Sequence, residues 1–199
     1  MDSNFIRKQY NKIAEDYFEL RKSFKSERYL KRFSSFLPKG ATILDIGCGS
    51  GIPVDSYFTK HGFKVIGIDI SDKQIELARK NVPTVKFKQK DMSKLKDNEY
   101  HVDAVVSFYV IFHTPRETHI DLFRKIKTFI PRGAYILVTM GNDEWEGKEA
   151  GAGGEMMEWS HYGADKNLEI IENAGFQIVF NKIDTSGGEK HLVIIAKSK

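Results

Sequence analysis

The sequence of 199 residues contains one cysteine, Cys48, so no disulfide bond can form within the chain. No apolar run approaches the roughly eighteen residues that span a bilayer, and the residues after Met1 are amphipathic and charged, unlike a secretory hydrophobic stretch. These absences favour the reducing cytoplasm. The hydrophobic content of 41% and charged content of 29% are ordinary for a globular protein, and the length predicts one domain with a sizeable core.

The net charge of +4 is unevenly distributed along the chain. Residues 1–40 contain 10 Lys and Arg against 5 Asp and Glu, whereas the remaining residues contain 21 against 22. This excess indicates either a surface for a nucleic acid or another anionic partner, or simply the solvated faces of surface helices. The sequence leaves both interpretations open.

Two amphipathic helices are predicted before the first strand. Apolar residues recur at three- and four-residue steps from Asn4 to about Arg21, and a second helix is expected from Ser26 to Phe36. The segment Pro38-Lys39-Gly40 ends the second helix. We therefore expect a helical cap over residues 1–38 and a core domain over residues 39–199.

Apolar, β-branched runs alternate with helical patterns after residue 40, which is typical of parallel strands joined by crossover helices. The predicted strands are the run that begins at Thr42, then Phe63–Ile70, Val85–Gln89, Val102–Tyr109, Ala134–Thr139, Phe176–Ile183 and Leu192–Ala196. The predicted helices run from Ile52 or Pro53 to His61, from the cap Ser71 to Asn81, from the cap Thr114 to Ile130, and from Ala164 to Ala174. The turn Ser186-Gly187-Gly188 predicts a hairpin, so the last strand should be antiparallel.

Two of these helices begin with a complete start signal. Ser71 has Gln74 three residues later, which forms a capping box. Thr114 has Glu117 three residues later, with Pro115 at the first helical position.

The stretch Asp45-Ile46-Gly47-Cys48-Gly49-Ser50-Gly51 lies between the first strand and the first crossover helix. Glycines at a strand-to-helix turn leave backbone N–H groups bare and let a ligand approach closely. A dinucleotide-binding dehydrogenase has the form G-x-G-x-x-G, and Ile52 occupies the place of its third glycine. The pattern D-x-G-x-G-x-G instead resembles motif I of the class I S-adenosylmethionine (SAM)-dependent methyltransferases.

Two further acids follow at the ends of the next strands. Asp69 stands eighteen residues beyond Gly51, near the spacing at which nucleotide-binding folds place an acid on the ribose hydroxyls. In the family that the motif resembles, an acid after strand three accepts the adenine amino group, and Asp91 matches it. By the same resemblance, Met92 would pack beside the adenine ring.

The resemblance implies a three-layer α/β/α fold with a seven-stranded sheet in the order 3-2-1-4-5-7-6, of which strand seven is antiparallel. It implies SAM as cofactor and S-adenosylhomocysteine (SAH) as product, and many members fold an N-terminal helix with a tyrosine over the cofactor. Tyr10 and Tyr17 could serve in this way or could be core aromatics. The cofactor residues expected from the resemblance are Tyr17, Asp45, Gly47, Cys48, Gly49, Gly51, Asp69, Ile70, Asp91, Met92, Ser107 and Phe108.

The acceptor side is marked partly by absent motifs. Ser107-Phe108-Tyr109 stands where methylases of amino nitrogens have Asn/Asp-Pro-Pro and an aromatic residue, and Cys48 is not placed to attack cytosine. Ser107 also lacks the acid that a catechol-type Mg²⁺ site requires, so no metal is expected. The candidates for the acceptor pocket are Tyr109, Phe112, His113, Trp159, Ser160 and His161. Of these, His113, Tyr109 and His161 are the candidate catalytic residues, because an imidazole can take a proton near neutral pH.

Residues 141–161 contain five glycines, many acids and two tryptophans. This composition argues against a strand or a long helix and favours a functional loop, such as a lid over the acceptor. The sequence therefore predicts a SAM-dependent methyltransferase of a small molecule. The alternatives are an RNA or protein methyltransferase that uses the basic N-terminus, an NAD(P)-dependent oxidoreductase, and a SAM-binding protein without turnover.

Overall fold

A computed structural model describes residues 1–21, 26–186 and 189–199. Its strands are β1 (Thr42–Ile46), β2 (Lys64–Asp69), β3 (Lys86–Gln89), β4 (Ala104–Ser107), β5 (Tyr135–Gly141), β6 (Trp145–Ala150), β7 (Met156–His161), β8 (Phe176–Asp184) and β9 (His191–Ser198). Its helices are α1 (Ser3–Lys12), α2 (Ala14–Arg21), α3 (Glu27–Ser34), α4 (Val54–Lys60), α5 (Asp72–Asn81), α6 (His119–Phe129) and α7 (Ala164–Asn173).

Seven strands form one sheet in the order β3-β2-β1-β4-β5-β9-β8. The first five pair in parallel, and β9 runs antiparallel to both β5 and β8. The predicted strand order and the antiparallel last strand are thus confirmed. The predicted glycine turn before β9 includes Gly187 and Gly188, which lie outside the described residues. Since parallel strands share a direction, the carboxyl ends of β1, β2, β3 and β4 meet at one edge of the sheet.

Helices cover both faces of this sheet, because successive residues of a buried strand point to opposite sides. On one face Leu44 packs in a cluster with Phe123 and Phe129 of α6 and with Ile171 of α7. On the other face Ile43 belongs to a cluster with the residues of α3, α4 and α5. Each fully buried side chain of this size contributes about 1.5–3 kcal/mol to folding. The result is the expected three-layer arrangement.

The predicted single helix from Asn4 to Arg21 is wrong, because the chain turns at Ile13 and forms two helices. Ile13 is 3% exposed and lies against Gly153, where a Cβ atom would come within 3.1 Å of Ile13 Cγ2. The turn allows α1 and α2 to bury different faces against the core. The three- and four-residue spacing of apolar residues is the same in one long helix and in two short ones, so it cannot reveal this change of direction.

The predicted start of the third crossover helix is also wrong. The chain forms 3₁₀ turns at Ile111–His113 and Arg116–Thr118, and α6 begins only at His119. The Thr114 hydroxyl donates to the Ile111 carbonyl at 2.8 Å and so does not cap a helix. The residues of a capping box are present, but no helix begins at them, because the backbone at Thr114 and Pro115 is not helical.

Residues 141–161 contain two strands, contrary to the prediction. β6 and β7 pair antiparallel from Trp145 with His161 to Ala150 with Met156, as a separate two-stranded sheet. We call residues 145–161 the hairpin. The glycines at its tip supply backbone freedom, since Gly153 and Gly154 have φ of +69° and +75°. Three of the five glycines, Gly151, Gly153 and Gly154, therefore lie in the connecting turn, whereas Gly141 ends β5 and Gly147 lies within β6.

Candidate functional site

The glycine turn after β1 is held against β2 by backbone hydrogen bonds. The N–H groups of Gly47 and Cys48 donate to the Ile68 carbonyl at 2.7 and 3.0 Å. Gly47 has a φ of +76°, and a Cβ atom there would lie 2.5 Å from the Val110 side chain. Position 47 therefore excludes any side chain, for reasons of both backbone conformation and space.

Asp69, at the end of β2, joins this turn to the start of α5. One of its carboxylate oxygens accepts from the Gly49 N–H at 2.9 Å, and the other accepts from the Ser71 N–H at 2.8 Å. Burial raises the pKa of Asp69 to about 6, although these backbone donors act in the opposite direction. Each oxygen keeps a second lone pair for a ligand hydroxyl.

A cavity of about 420 Å³ lies at the carboxyl ends of these strands. We call it the cofactor cavity. Eight of the predicted cofactor residues line it: Tyr17, Gly47, Gly49, Asp69, Ile70, Asp91, Met92 and Phe108. The structure thus brings together residues that are up to ninety positions apart in sequence.

Three other predicted cofactor residues do not line the cofactor cavity, and their role in holding the cofactor stays a prediction. The Ser107 hydroxyl is fully buried and donates to the Ile46 carbonyl at 2.9 Å. Cys48 belongs to the hydrophobic core beneath the turn, where burial raises the pKa of its thiol. Gly51 faces Val82 and Phe87. These positions shape the turn from behind.

Asp45 is also placed differently from the expectation. It lies beside a small cavity of about 30 Å³ that adjoins the glycine turn, and its carboxyl group is buried next to that of Asp55 in α4. Burial raises the pKa of Asp45 to about 7 and raises that of Asp55 well above its usual range. The two carboxyl groups hydrogen-bond to each other, and the buried oxygens of the pair have no other donor within the described chain, so the pair retains a proton near neutral pH.

Asp91 presents one bonded and one available oxygen. Its Oδ1 accepts from the backbone N–H and the hydroxyl of Ser93 at 2.9 and 2.7 Å, whereas Oδ2 is buried, lies 3.6 Å from the Lys94 ammonium group and accepts no hydrogen bond from the described residues. Burial acts to raise the pKa of Asp91, but hydrogen bonds from Ser93 and Ser3 and the charge of Lys94 outweigh it, and the pKa is lowered. A charged, unsatisfied oxygen in a cavity is suited to a ligand N–H donor.

Gln74 is a site residue that the sequence reasoning did not identify. As predicted, its backbone N–H donates to the Ser71 hydroxyl at 3.0 Å. Its amide group, however, does not complete the capping box. Both amide atoms are buried, line the cofactor cavity and make no hydrogen bond within the described structure. Gln74 lies one and four residues before Ile75 and Ala78, the buried apolar residues of α5. This helical spacing was the signal in the sequence that the Gln74 side chain faces inward.

A second cavity of about 650 Å³ adjoins the first and is walled partly by the hairpin. We call it the acceptor cavity. It contains the predicted Tyr109, Phe112, His113, Trp159 and His161, together with His191 from β9, which the sequence reasoning missed. Ser160 is an exception, because its buried hydroxyl accepts from the Arg116 N–H at 3.0 Å. Four residues line both cavities: Tyr10, Tyr17, Tyr109 and His113.

His113 is fixed at this shared boundary by two hydrogen bonds. Its Nδ1 lies 2.8 Å from the Glu158 carbonyl oxygen of β7, and its Nε2 lies 2.8 Å from the Tyr10 hydroxyl. The side chain is 6% exposed, and this burial lowers its pKa to about 4. His113 is therefore neutral near pH 7.

Tyr109 and His161 occupy other parts of the acceptor cavity. Tyr109 has a φ of +57°, its ring meets that of His191 edge-on at 4.6 Å, and the Arg21 guanidinium lies 4.2 Å from its centroid. His161 lies 2.7 Å from the Asp143 carbonyl oxygen through its Nδ1. A positive φ at a bulky residue is rare and is concentrated at functional sites.

Three basic residues of the N-terminal segment pair with acids of later segments. Lys12 contacts Glu155 at 3.1 Å, Arg7 contacts Asp72 at 3.8 Å, and Arg28 pairs with Asp184. These pairs place three of the ten positively charged side chains of residues 1–40 beside carboxylates.

A search of the described residues found no group of three or more His, Cys, Asp or Glu side chains arranged to hold a metal ion. Among the helices of the described chain, none combines the length and apolar character needed to cross a bilayer.

Comparisons with known proteins give consistent results. Residues 17–179 match the family model described as a methyltransferase domain. The chain is 30% identical over 138 residues to the ubiquinone biosynthesis O-methyltransferase of Pelagibacter ubique (strain HTCC1062), a match that covers 59% of this chain and 55% of that protein. The chain spans about half the length, or less, of the first curated relatives that it matches.

Solved structures with the same fold extend over nearly the whole chain. The magnesium protoporphyrin IX methyltransferase of Synechocystis PCC 6803, with bound SAH, superposes with a TM-score of 0.76 at 16% identity and covers 100% of both chains. The Burkholderia thailandensis 1,6-didemethyltoxoflavin-N1-methyltransferase, with its substrate and SAH bound, gives 0.75 at 18% identity and covers 97% of this chain and 87% of its own.

Proposed function

This chain belongs to the methyltransferase domain family, and on that premise we propose that it transfers a methyl group from SAM to a small-molecule acceptor and releases SAH. The observation that carries the proposal is the boundary between the two cavities. Tyr10, Tyr17, Tyr109 and His113 line both of them, so ligands in the two cavities would meet at these side chains. A donor and an acceptor held in this way need only the correct alignment to react.

The residues of the cofactor cavity fit an adenosyl ligand. Asp69 would accept the two ribose hydroxyls, and the free Oδ2 of Asp91 would accept the adenine amino group beside Met92. The buried Gln74 amide adds a donor and an acceptor without protein partners among the described residues. When bound, the cofactor supplies a methyl group that its sulfonium has already activated for displacement.

The acceptor cavity supplies the groups that a methyl acceptor requires. His113 is neutral, faces both cavities and would act as the general base. Tyr109 and His161 would contact the acceptor on either side of Phe112, whose ring centroid lies 6.1 Å from that of His161. The hairpin carries Trp159 and would act as a lid, moving with the helical cap of residues 1–38 over the core of residues 39–199.

A small acceptor is favoured over RNA or protein by two observations. Three basic side chains of α1 and α3, those of Arg7, Lys12 and Arg28, contact acids of this chain, which reduces their capacity to contact phosphates. In addition, the similar proteins include a methyltransferase named for ubiquinone biosynthesis and one named for a demethylated toxoflavin. The lone buried thiol of Cys48 is compatible with the proposed cytoplasmic location.

Calorimetric titration with SAM, SAH and NADH tests the proposal directly. SAM and SAH should each bind with 1:1 stoichiometry, and NADH should give no binding heat. Binding of NADH in place of SAH would reject the assignment in favour of an oxidoreductase. An RNA titration at two salt concentrations provides the second arm, since a nucleic-acid methyltransferase should show strong, salt-dependent affinity.

A further inference from the structure

The hydrogen bonds around His113 define which atom carries each proton. A carbonyl oxygen can only accept, so the Nδ1 of His113 must donate its proton to Glu158. A neutral imidazole carries one ring proton, which leaves Nε2 as an acceptor. The Tyr10 hydroxyl, 2.8 Å from Nε2, must therefore donate to it. Hydrogen bonds are thus donated from Tyr10 to His113 and from His113 to Glu158.

The three groups come from three separate elements. Tyr10 lies in α1, His113 lies in the 3₁₀ turn after β4, and Glu158 lies in β7 of the hairpin. The Gln9 amide next to Tyr10 donates to the Met156 carbonyl at 2.7 Å and so secures α1 to the hairpin. The Tyr10 ring meets the Tyr17 and His113 rings edge-on, each at 5.3 Å between centroids. The phenol is thus held at one place on the boundary of the two cavities.

We propose that Tyr10 is a catalytic residue which takes the proton of an aromatic hydroxyl acceptor and passes its own proton to Nε2 of His113, while the Glu158 carbonyl acts as the positioning group that fixes the ring. This inference rests on the proposed methyl transfer and adds to it the proton path and the class of acceptor.

The proton balance of this relay is complete. The acceptor O–H bond breaks, and its proton bonds to the phenol oxygen of Tyr10 as the phenol proton bonds to Nε2. The electron pair left on the acceptor oxygen forms the new bond to the methyl carbon, and the pair of the broken carbon–sulfur bond remains on sulfur. The positive charge initially on the sulfonium ends on the imidazolium of His113, which then loses its proton to water. No further reactant is needed.

The walls of the acceptor cavity indicate why the acceptor should be a planar aromatic alcohol. Phe112 and Trp159 provide flat apolar surfaces beside His113, with ring centroids 5.0 and 5.9 Å from that of the imidazole. A cationic amine would need a desolvated anion as its partner. The four carboxylates that line the cavity, Asp143, Glu144, Glu149 and Glu189, belong to residues that are exposed to solvent, although partial burial raises the pKa of Glu189. A neutral phenol is planar, so it can pack against Phe112 and Trp159, and it needs no desolvated anion as a partner.

The test uses 4-nitrophenol as the probe, because its absorption moves to longer wavelength as its hydroxyl proton is withdrawn. The SAH complex of the wild-type protein should bind 4-nitrophenol with such a shift, whereas 4-nitrobenzylamine, which is a cation near neutral pH, should bind at least tenfold more weakly. With SAM, the wild-type protein should form 4-nitroanisole. Failure to bind 4-nitrophenol, or an unshifted spectrum, would overturn the proposed acceptor class.

Three variants separate a proton relay from a structural contact. Tyr10→Phe removes the hydroxyl and should lower kcat at least 100-fold, with SAH affinity changed less than threefold. His113→Gln can still donate to Glu158 and accept from Tyr10, but it cannot store a proton, so it should lose the same activity. Tyr57→Phe, on α4 beside His61, is the matched control and should keep the wild-type rate. Wild-type turnover by either of the first two variants would overturn the relay.

A readout without turnover completes the test. Long-range ¹H–¹⁵N correlation spectra of the SAH complex should show Nε2 of His113 without a proton, and Tyr10→Phe should shift that nitrogen but not those of His161. A proton on Nε2 near pH 7 would overturn the relay while leaving methyl transfer intact. Absence of SAH binding would instead reject the proposed function itself.

Discussion

The Asn11 side chain of α1 joins the N-terminal helices to the segment that follows Asp69. Its Oδ1 accepts from the Ser71 hydroxyl at 2.6 Å, and its amide nitrogen donates to the Asp72 carboxylate at 2.7 Å. Ser71 in turn donates its backbone N–H to Asp69. A ligand that orders Asp69 should therefore also order α1.

The variant Asn11→Ala tests this connection. Loss of two side-chain hydrogen bonds should weaken SAH binding by roughly 3- to 30-fold. Hydrogen exchange measured by mass spectrometry should show that SAH protects α1 in the wild-type protein and protects it less in the variant. Asn4→Ala, at the exposed start of the same helix, is the control and should behave as wild type. Equal protection of α1 in Asn11→Ala would show that the helix is ordered by other contacts.

Asp69→Ala should be much more damaging to cofactor binding. The carboxylate anchors the glycine turn through Gly49 and is expected to hold the ribose, so SAH affinity should fall by roughly 30- to 1,000-fold, which corresponds to about 2–4 kcal/mol. Calorimetric titration measures the change. Asp97→Ala removes an exposed carboxylate away from the cavity and should leave the affinity unchanged. A variant Asp69→Ala with wild-type affinity would remove the ribose assignment.

Gly47→Ala and Gly40→Ala distinguish backbone strain from lack of space. Both glycines have a positive φ, +76° and +73°, so each alanine should cost about 1 kcal/mol in conformational strain. At position 40 no atom lies within 4 Å of the added Cβ, whereas at position 47 the Val110 side chain lies 2.5 Å away. Urea unfolding should show Gly47→Ala to be destabilised by at least about 2 kcal/mol more than Gly40→Ala. Equal losses would mean that Val110 can move aside.

His119 should make stability depend on pH. Its side chain is fully buried, and burial lowers its pKa to about 4 from the ordinary 6.5. Between these values the unfolded chain binds a proton that the folded chain does not, so stability is lost as the pH falls from about 6.5 towards 4.

The variant His119→Gln isolates this effect. Its amide can replace the contact of the imidazole Nε2 with the Thr114 carbonyl, which is 3.2 Å long. Between pH 7 and pH 5 the wild-type protein should lose about 2 kcal/mol more than the variant, because the other titrating groups are common to both. Denaturant unfolding at the two pH values measures the difference. Parallel stability curves would show that His119 is protonated in the folded protein.

The fold was predictable from sequence because each of its main signals is local. The apolar runs that became β1, β2 and β4 are continuous, and the glycines after β1 fix where a strand must give way to a turn. Asp69 and Asp91 could be identified for the same reason, since residues at the ends of adjacent parallel strands must share an edge of the sheet. Both line the cofactor cavity.

Other features depend on contacts between distant segments. Asp45 follows the expected motif, but its neighbour Asp55 lies on another element. The alternation of residues along a strand predicts which face of the sheet a side chain is on, but not which residue it contacts on that face. Tyr10 and His113 are separated by 103 positions, so no local pattern could show their hydrogen bond. The hairpin was missed because β6 is mostly polar and exposed and is ordered through its pairing with β7, which no local pattern shows.

The separateness of the hairpin has a consequence for how this protein could diversify. β6 and β7 hydrogen-bond to each other and belong to a different sheet from the strands that carry Asp69 and Gly47. Insertions or substitutions in the hairpin would change the shape of the acceptor cavity around Trp159 and would leave Asp69 and Gly47 of the cofactor cavity in place. Changes confined to the hairpin could therefore alter the selectivity for acceptors, in evolution or by engineering, without changing the residues that hold the cofactor.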